Sequence, residues 1–401
     1  MSGAPIEPGP YATAEGVPSF AFAGRSRPRL LLGVGAFQFR PPGPLEQAPG
    51  TTTPIQSAAA DRSGTAVYAL QGVRGGGAFG YGRADGHASV VQRIPASRGR
   101  RSRITQLVGN GAGSAAALVE WSGNPDRGTP TTLAVYTRTP GTAFRRRLTL
   151  PPHAVAGISI APAGNVLAAW RQDDGVLARA IDRHGTPQRA VRLATLPTSS
   201  WVPAVTPAVG RGGRAEVAWV VRTDSAPARW SLFAASAARE LHFGGPRRLD
   251  RELVPSWVWV GPLSIRLRGA VADMVLVTAA GIHVNTVSGT RPVRARQTIT
   301  ELSATPIAVA FGPRGAILVA GSGLGAREGD SGIWARLRAP GDDEFGSVEL
   351  VLPRAAGVYG LKGLAAAFDP AGGAALIAAN TYGYSGTTTV GRLSLVTRPV
   401  R

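Results

Sequence analysis

A module of about fifty residues returns seven times along this chain of 401 residues. Each copy is marked by a glycine at the start of a short segment of small and β-branched residues. The marking glycines are Gly64, Gly113, Gly164, Gly213, Gly269, Gly315 and Gly373, at successive separations of 49, 51, 49, 56, 46 and 58 residues. A unit this small, made only of short strands, cannot bury its faces without a neighbour. The repeat therefore predicts a closed radial arrangement of β-sheets within one large domain.

One copy, residues 157 to 195, shows the unit most clearly. Apolar segments predict strands over 158–161, 165–170, 176–182 and 189–193, and Pro, Gly and Asp residues between them predict turns. Four strands joined by hairpin turns make one antiparallel sheet. The second segment of each copy is almost continuously apolar, which is typical of strands covered on both faces.

The repeat length, the four-strand unit and the chain ends resemble a β-propeller. The last repeat ends after its third strand, and residues 30–39 supply a fourth, so that both ends of the chain share one blade. We therefore expect an all-β, seven-bladed β-propeller of four-stranded antiparallel blades over residues 30–401, with an N-terminal extension over 1–29. An alternative pairs residues 19–23 with 29–36 as the start of an eighth blade. The repeated Trp-Asp and Gly-His pairs of WD40 propellers and the Asp box of sialidase-like propellers are missing, so no particular family is assigned.

The chain is strongly basic, with a formal net charge of +20. Such a charge favours a polyanionic partner. However, Lys362 is the one lysine among 44 basic residues, and this skew is also typical of a GC-rich coding background. Arginines recur on the predicted fourth strands, at Arg145 to Arg147, Arg189 and Arg192, Arg247 and Arg248, and Arg294 and Arg296. They either protect an outer sheet edge from pairing with other chains or form a rim that binds a polyanion.

Several site classes are disfavoured by composition. The chain has no cysteine, which excludes disulfides and thiolate metal sites and leaves the redox compartment undetermined. The sequence contains no apolar run of eighteen residues, so we expect no membrane insertion. No clear signal peptide follows Met1, and secretion or envelope association stays open. We expect a monomer without cofactor or metal.

The resemblance to propellers implies a ligand face made of the loops from fourth to first strand and from second to third strand. Aromatic residues concentrate in these loops, where their rings can stack on sugar faces or pack between blades. Neighbouring arginines can hold carboxylate, sulfate or phosphate groups in bidentate fashion. The candidate ligand-binding residues are Trp201, Trp257, Trp259, Tyr359, Tyr382, Tyr384, Arg222, Arg229 and Arg327.

Catalytic candidates are weak by comparison. Asp173, Asp174, Asp224 and Glu328 fall in polar turns where solvation is the default, and the histidines share no metal-ligand spacing. Trp121, Trp170 and Trp219 recur at one repeat position, which indicates packing rather than binding. The sequence favours a non-catalytic recognition or scaffold module for a glycan or protein. The alternatives are a polysaccharide hydrolase or lyase, and polyanion or nucleic-acid binding.

Overall fold

In the residues that the structure describes, the protein, a computed structural model, consists of β-strands, turns and two short 3-10 turns at Arg211–Gly213 and Pro313–Gly315. The structure describes residues 19–23, 29–33, 58–60, 65–71, 77–83, 90–95, 100–110, 112–122, 130–197, 200–223, 229–238, 242–250, 260–278, 280–288, 291–292, 296–300, 302–323, 332–352, 358–368, 374–385 and 388–399. Across these ranges, no helix is long and apolar enough to span a membrane.

Strands that follow one another in the chain pair into antiparallel sheets, which we name A to G. A hairpin of β1 (Ser19–Ala23) and β2 (Arg29–Gly33) precedes them. Sheet A contains β3 (Ala58–Ala60), β4 (Thr65–Gln71), β5 (Gly77–Arg83) and β6 (Val90–Arg93). Sheet B contains β7 (Ser102–Gly109), β8 (Ala115–Trp121), β9 (Thr132–Arg138) and β10 (Arg145–Thr149). Sheet C contains β11 (Val155–Ile160), β12 (Val166–Gln172), β13 (Gly175–Ile181) and β14 (Val191–Thr195).

The pattern continues in the second half of the chain. Sheet D contains β15 (Trp201–Val209), β16 (Ala215–Thr223), β17 (Arg229–Ala237) and β18 (Arg247–Asp250). Sheet E contains β19 (Val260–Arg268), β20 (Val271–Thr278), β21 (Gly281–Ser288) and β22 (Arg291–Pro292), and β23 (Gln297–Ile299) also pairs with β21. Sheet F contains β24 (Leu302–Phe311), β25 (Ile317–Gly323), β26 (Ile333–Arg338) and β27 (Glu349–Leu352). Sheet G contains β28 (Val358–Phe368), β29 (Ala374–Ser385) and β30 (Thr388–Pro399).

This architecture confirms the predicted fold class. The four strands predicted over residues 158–193 fall on β11 to β14, and the predicted second strand of every repeat is found. The repeated meander of four antiparallel strands is the blade of a β-propeller. The number of blades stays a prediction.

Two compact units share these sheets. The unit Ala96–Thr298 contains sheets B to E, and successive sheets pack face to face. Apolar clusters join sheet B to sheet C around Ile158, sheet C to sheet D around Trp219, and sheet D to sheet E around Met274. The second strands β12 and β16 each contribute to two of these clusters, which explains why β12 is buried along most of its length.

The other unit, Met1–Pro95 with Ile299–Arg401, contains the β1–β2 hairpin and sheets A, F and G. The predicted pairing between the two ends of the chain needs correction. Residues 30–39 were expected to add a fourth strand to the last sheet, but Arg29–Gly33 pairs with β1, and sheet G has three strands in the described ranges. The pairing of residues 19–23 with 29–33 is the one that the eight-blade alternative requires. The reason is local, since a short connection lets β2 pair with its neighbour in the chain.

The arginine runs lie on sheet edges, as predicted. In unit Ala96–Thr298 the edge strands β10, β14 and β18 carry exposed arginines at Arg145, Arg146, Arg192, Arg247 and Arg248. Arg189 and Arg296 are exposed beside strands, and Arg294 lies outside the described residues. Charged side chains at an edge discourage pairing with another chain.

The first strands of sheets C and D approach each other closely at Gly157. A Cβ atom at this position would lie 2.5 Å from the Val205 carbonyl oxygen and 2.9 Å from Cδ of Pro207. The absence of a side chain at Gly157 thus allows β11 and β15 to come together. This contact fixes how sheet D sits on sheet C, and sheet D carries the candidate site.

Candidate functional site

Three large polar or aromatic residues form one row across an end of sheet D. Trp201 on β15 pairs in register with Arg222 on β16, which in turn pairs with Trp230 on β17. The ring centroids of the two tryptophans are 5.2 Å apart, with an angle of 54° between the planes. Trp201 is 55% exposed, whereas Trp230 is 1% exposed. A buried ring therefore supports a ring that is open to solvent.

A β-bulge in β15 puts Trp201 in this row. Trp201 pairs with Arg222, but the next registered pair is Ala204 with Val220, so β15 contains one extra residue in between. Because side chains alternate along a strand, one extra residue turns Trp201 to the opposite face. Pro203 lies within the bulge, where its missing N–H removes no regular ladder bond. The bulge thus aims the ring at the face that carries Trp230.

Arg222 lies in the same row as Trp201, whereas Arg171 reaches the preceding residue from sheet C. Arg222 is half-buried, and its Nε has no hydrogen-bond partner. Arg171, on β12 of sheet C, donates from Nη2 to the carbonyl oxygen of Ser200 at 3.4 Å, directly before Trp201, and its Nε is also without a partner. No ion pair in the described ranges includes either guanidinium. We refer to Arg171, Ser200, Trp201, Arg222 and Trp230 as the Trp201 site.

The recurring tryptophans have the packing role that was predicted. Trp121, Trp170 and Trp219 are all buried, and Trp219 stacks on Phe233 with centroids 6.0 Å apart and planes 10° apart. Burial of large rings between sheets stabilises the fold and leaves no face for a ligand. Trp201 differs from them in being exposed.

Two carboxylates at this end of sheet C are turn residues, whereas Asp250 at the same end of sheet D is a strand residue paired with Arg296. Asp174 forms an exposed ion pair with Arg192 at 2.9 Å. Asp173 is exposed in a left-handed turn conformation, with φ of 44°, and Gln172 donates to it at 3.2 Å. Asp224 and Glu328 lie outside the described residues. Among the described side chains, no group of three His, Asp or Glu residues could hold a metal ion.

A carboxyl group with a raised pKa lies on β16, far from the Trp201 site. Glu216 is 2% exposed, and burial raises its pKa to about 8, although a hydrogen bond with Ser236 lowers it. One of its oxygens, Oε1, has no hydrogen-bond partner. Glu216 precedes Arg222 by six residues, which is about 20 Å along an extended strand. It therefore does not serve as an acid or base for a ligand at Trp201.

The remaining predicted residues are placed as follows. Arg229 begins β17, Tyr359 lies in β28, and Tyr382 and Tyr384 lie in β29, so the strands extend into segments predicted as loops. Trp257, Trp259 and Arg327 lie outside the described residues. Of the predicted residues whose side chains the structure describes, Trp201 and Arg222 are brought together. The ligand roles of all nine stay predictions.

Sequence reasoning missed three members of the site. Trp230 directly follows Arg229 at the start of a strand, and alternation along that strand was a usable signal for its position. Arg171 belongs to a different repeat, and only the packing of sheet C on sheet D brings it to Ser200. Cross-repeat contacts of this kind have no signature in the spacing.

No protein-family model matches the sequence, and no curated protein matches it. Solved structures of similar fold include the polysaccharide lyase Uly1, with 7% identity and a TM-score of 0.49 over 83% of this chain and 88% of that one. They also include the BP39L lectin from Burkholderia pseudomallei, with 12% identity and a TM-score of 0.48 over 84% and 99%. The β-propeller domain of the Trilobed protease from Pyrococcus furiosus has 8% identity and a TM-score of 0.46 over 86% and 97%. At these scores the similarities carry no conclusion about the site.

Proposed function

We propose that this chain is a non-catalytic recognition module that binds a glycan at the Trp201 site. The observation that carries the proposal is the exposed Trp201 ring, held in place by the buried ring of Trp230. An aromatic face on a rigid strand is the usual platform for the apolar face of a sugar ring. A ring fixed before binding also loses little conformational entropy when a ligand stacks on it.

The charges at the site favour an acidic glycan. Arg222 lies in the same row as Trp201, Arg171 contacts the preceding Ser200, and neither has a carboxylate partner among the described residues. A guanidinium presents donors in a planar fork that suits carboxylate and sulfate groups. A uronate or sulfated sugar stacked on Trp201 would supply the missing anion.

The carboxyl groups support binding rather than hydrolysis. Glycoside hydrolysis needs two carboxyl groups that face each other across the scissile bond. Asp174 is paired with Arg192, and Glu216 is buried about 20 Å away along β16. The described residues of the Trp201 site therefore supply no facing pair of carboxyl groups for glycoside hydrolysis.

A glycan array probed at low and high salt tests this function, with wild type, Trp201→Ala and Arg222→Gln. Leu350→Ala is the matched control, because Leu350 is the other large apolar residue that is exposed among the described side chains, at 46%. We expect Trp201→Ala to weaken binding about tenfold or more, since a stacked ring contributes roughly 1–3 kcal/mol. Arg222→Gln should weaken the binding of acidic glycans and make that binding less dependent on salt. Unchanged binding by Trp201→Ala, or an array without any ligand, would overturn the proposal.

The exposed arginines on β10, β14 and β18 favour a second candidate, which is polyanion binding along the sheet edges. In that case affinity falls steeply with salt, in proportion to the number of anionic groups contacted. Titration of heparin and of DNA against salt with the double variant Arg247→Gln and Arg248→Gln separates the candidates. A loss of affinity in this variant, with Trp201→Ala unchanged, places the ligand on the edges.

A further inference from the structure

A cleft of about 540 Å³ lies between sheets C and D, away from the Trp201 site. Val209, the last residue of β15, lines it, whereas Trp201 is the first residue of the same strand. Eight residue steps of extended chain separate the two by about 25 Å. The cleft is therefore a separate site, at the other end of the sheets.

The cleft exists because its walls are built from small residues. Alanines and glycines make up about half of its lining, and the turn between β15 and β16 contributes Gly212 and Gly213 with φ of 70° and 76°. Leu167 and Ala215 belong to the apolar cluster between sheets C and D, are buried, and provide an apolar floor. The volume lies in the range of small-molecule sites, which are generally apolar concavities with a few polar groups.

Polar groups of opposite charge lie on the two walls. Asp182 comes from sheet C, and its Oδ1 accepts hydrogen bonds from the backbone N–H groups of His184 at 2.9 Å and Thr186 at 2.8 Å. The Thr186 N–H lowers the pKa of Asp182 most, so this carboxylate is ionised at neutral pH. Arg211 comes from the turn of sheet D, is exposed, and forms no ion pair in the described part of the chain.

Two neutral amides complete the lining. Asn165 and Gln188 face the cleft, and neither side chain makes a hydrogen bond within the described ranges. An amide group donates and accepts, as does a peptide bond. None of the described residues that line the cleft is aromatic, which distinguishes it from the Trp201 site.

We propose that this cleft binds a zwitterionic ligand, either a free amino acid or a short peptide with apolar side chains. Its ammonium group binds Asp182, its carboxylate binds Arg211, and its side chain lies on the floor of Leu167 and Ala215. A zwitterion pairs with both charges, whereas a lone anion would leave Asp182 unpaired and a lone cation would leave Arg211 unpaired. Asn165 and Gln188 are placed to bind the peptide bond of a longer ligand.

Isothermal titration of the full chain with Leu, Leu-Leu and Leu-Leu-Leu tests the proposal. The same titration with N-acetyl-Leu-Leu and with Leu-Leu-amide removes one terminal charge at a time. We expect each cap to weaken binding about tenfold to a hundredfold, as for loss of a charge-assisted hydrogen bond. Arg211→Gln should weaken binding of the free peptide by the same factor and leave binding of Leu-Leu-amide unchanged. Asp182→Asn should weaken binding of the free peptide in the same way and leave binding of N-acetyl-Leu-Leu unchanged.

Arg214→Gln is the matched control, because Arg214 is an exposed neighbour that does not line the cleft. It should bind every ligand as wild type does. Arg211→Gln keeps the test valid if Asp182→Asn unfolds, since Arg211 is exposed at a turn. The proposal is overturned if no uncapped ligand binds, if capped peptides bind as tightly as free ones, or if Arg214→Gln and Arg211→Gln behave alike.

Discussion

Trp201 and Trp230 are in ring contact at 5.2 Å although they come from strands that are not adjacent, because both side chains reach across Arg222 on the strand between them. The Trp201 ring is exposed to solvent, whereas the Trp230 ring is buried in the apolar cluster between sheets D and E. The pair therefore connects a candidate binding surface directly to the core of its unit.

The two tryptophans should differ in their effect on stability. We expect Trp230→Ala to lower the free energy of unfolding by about 3–5 kcal/mol, as for other large core residues. Trp201→Ala should lower it by about 1 kcal/mol or less, because over half of the ring is already exposed. Urea denaturation followed by far-UV circular dichroism measures both. Equal losses would show that Trp201 is a packing residue.

Glu216 should make stability depend on pH. Burial raises its pKa to about 8, so the native state keeps its proton between about pH 4.5 and pH 8 while the unfolded chain has lost it. The contribution of Glu216 to the free energy of unfolding should therefore fall by about 1.4 kcal/mol for each pH unit across this window and stay level above it. Glu216→Gln should remove the slope and stabilise the protein at pH 8. Glu344→Gln, at an exposed turn residue, is the control and should retain the slope.

Gly157 should tolerate no side chain. In Gly157→Ala the new Cβ would lie 2.5 Å from a backbone oxygen, so β11 and β15 must move apart. We expect a loss of about 1–3 kcal/mol, as is usual for overpacking. Gly245→Ala is the comparison, because a Cβ there meets nothing within 4 Å and should change stability by less than about 0.5 kcal/mol. Thermal unfolding of the two variants side by side measures the difference.

The ion pairs of the chain should differ in strength according to burial. Asp273 is 1% exposed, accepts from Arg268 at 2.8 Å and from Thr286 at 2.8 Å, and lies in sheet E. Asp273→Ala leaves polar partners without their acceptor and should cost about 3–5 kcal/mol. Asp174→Ala breaks a pair that is about half exposed at both ends, and should cost about 1 kcal/mol or less. Similar losses in denaturant unfolding would contradict this reasoning.

Strand positions could be predicted because turn chemistry and apolar runs are local. In sheet C, the glycine and proline turns around residues 162–164 separate two segments that pair as β11 and β12. Edge arginines were predicted for the same reason, since they mark the last strand of a repeat. Each inference needed only neighbouring residues.

The candidate site could be predicted only in part. Trp201 and Arg222 were identified by residue type, but the bulge that brings them to one face depends on strand register, which the sequence does not display. The contact of Arg171 with Ser200 depends on the packing of two repeats. The predicted pairing of the chain ends was wrong because residues 29–33 pair with β1, their neighbour in the chain.

One nine-residue strand, β15, has the exposed ring at its first residue and a cleft-lining valine at its last. Molecules bound at these two places would not collide, and neither would need the other to leave. The strand would then hold two different ligands at a fixed distance from each other. One copy of this protein would in that case link a small zwitterionic ligand to a glycan.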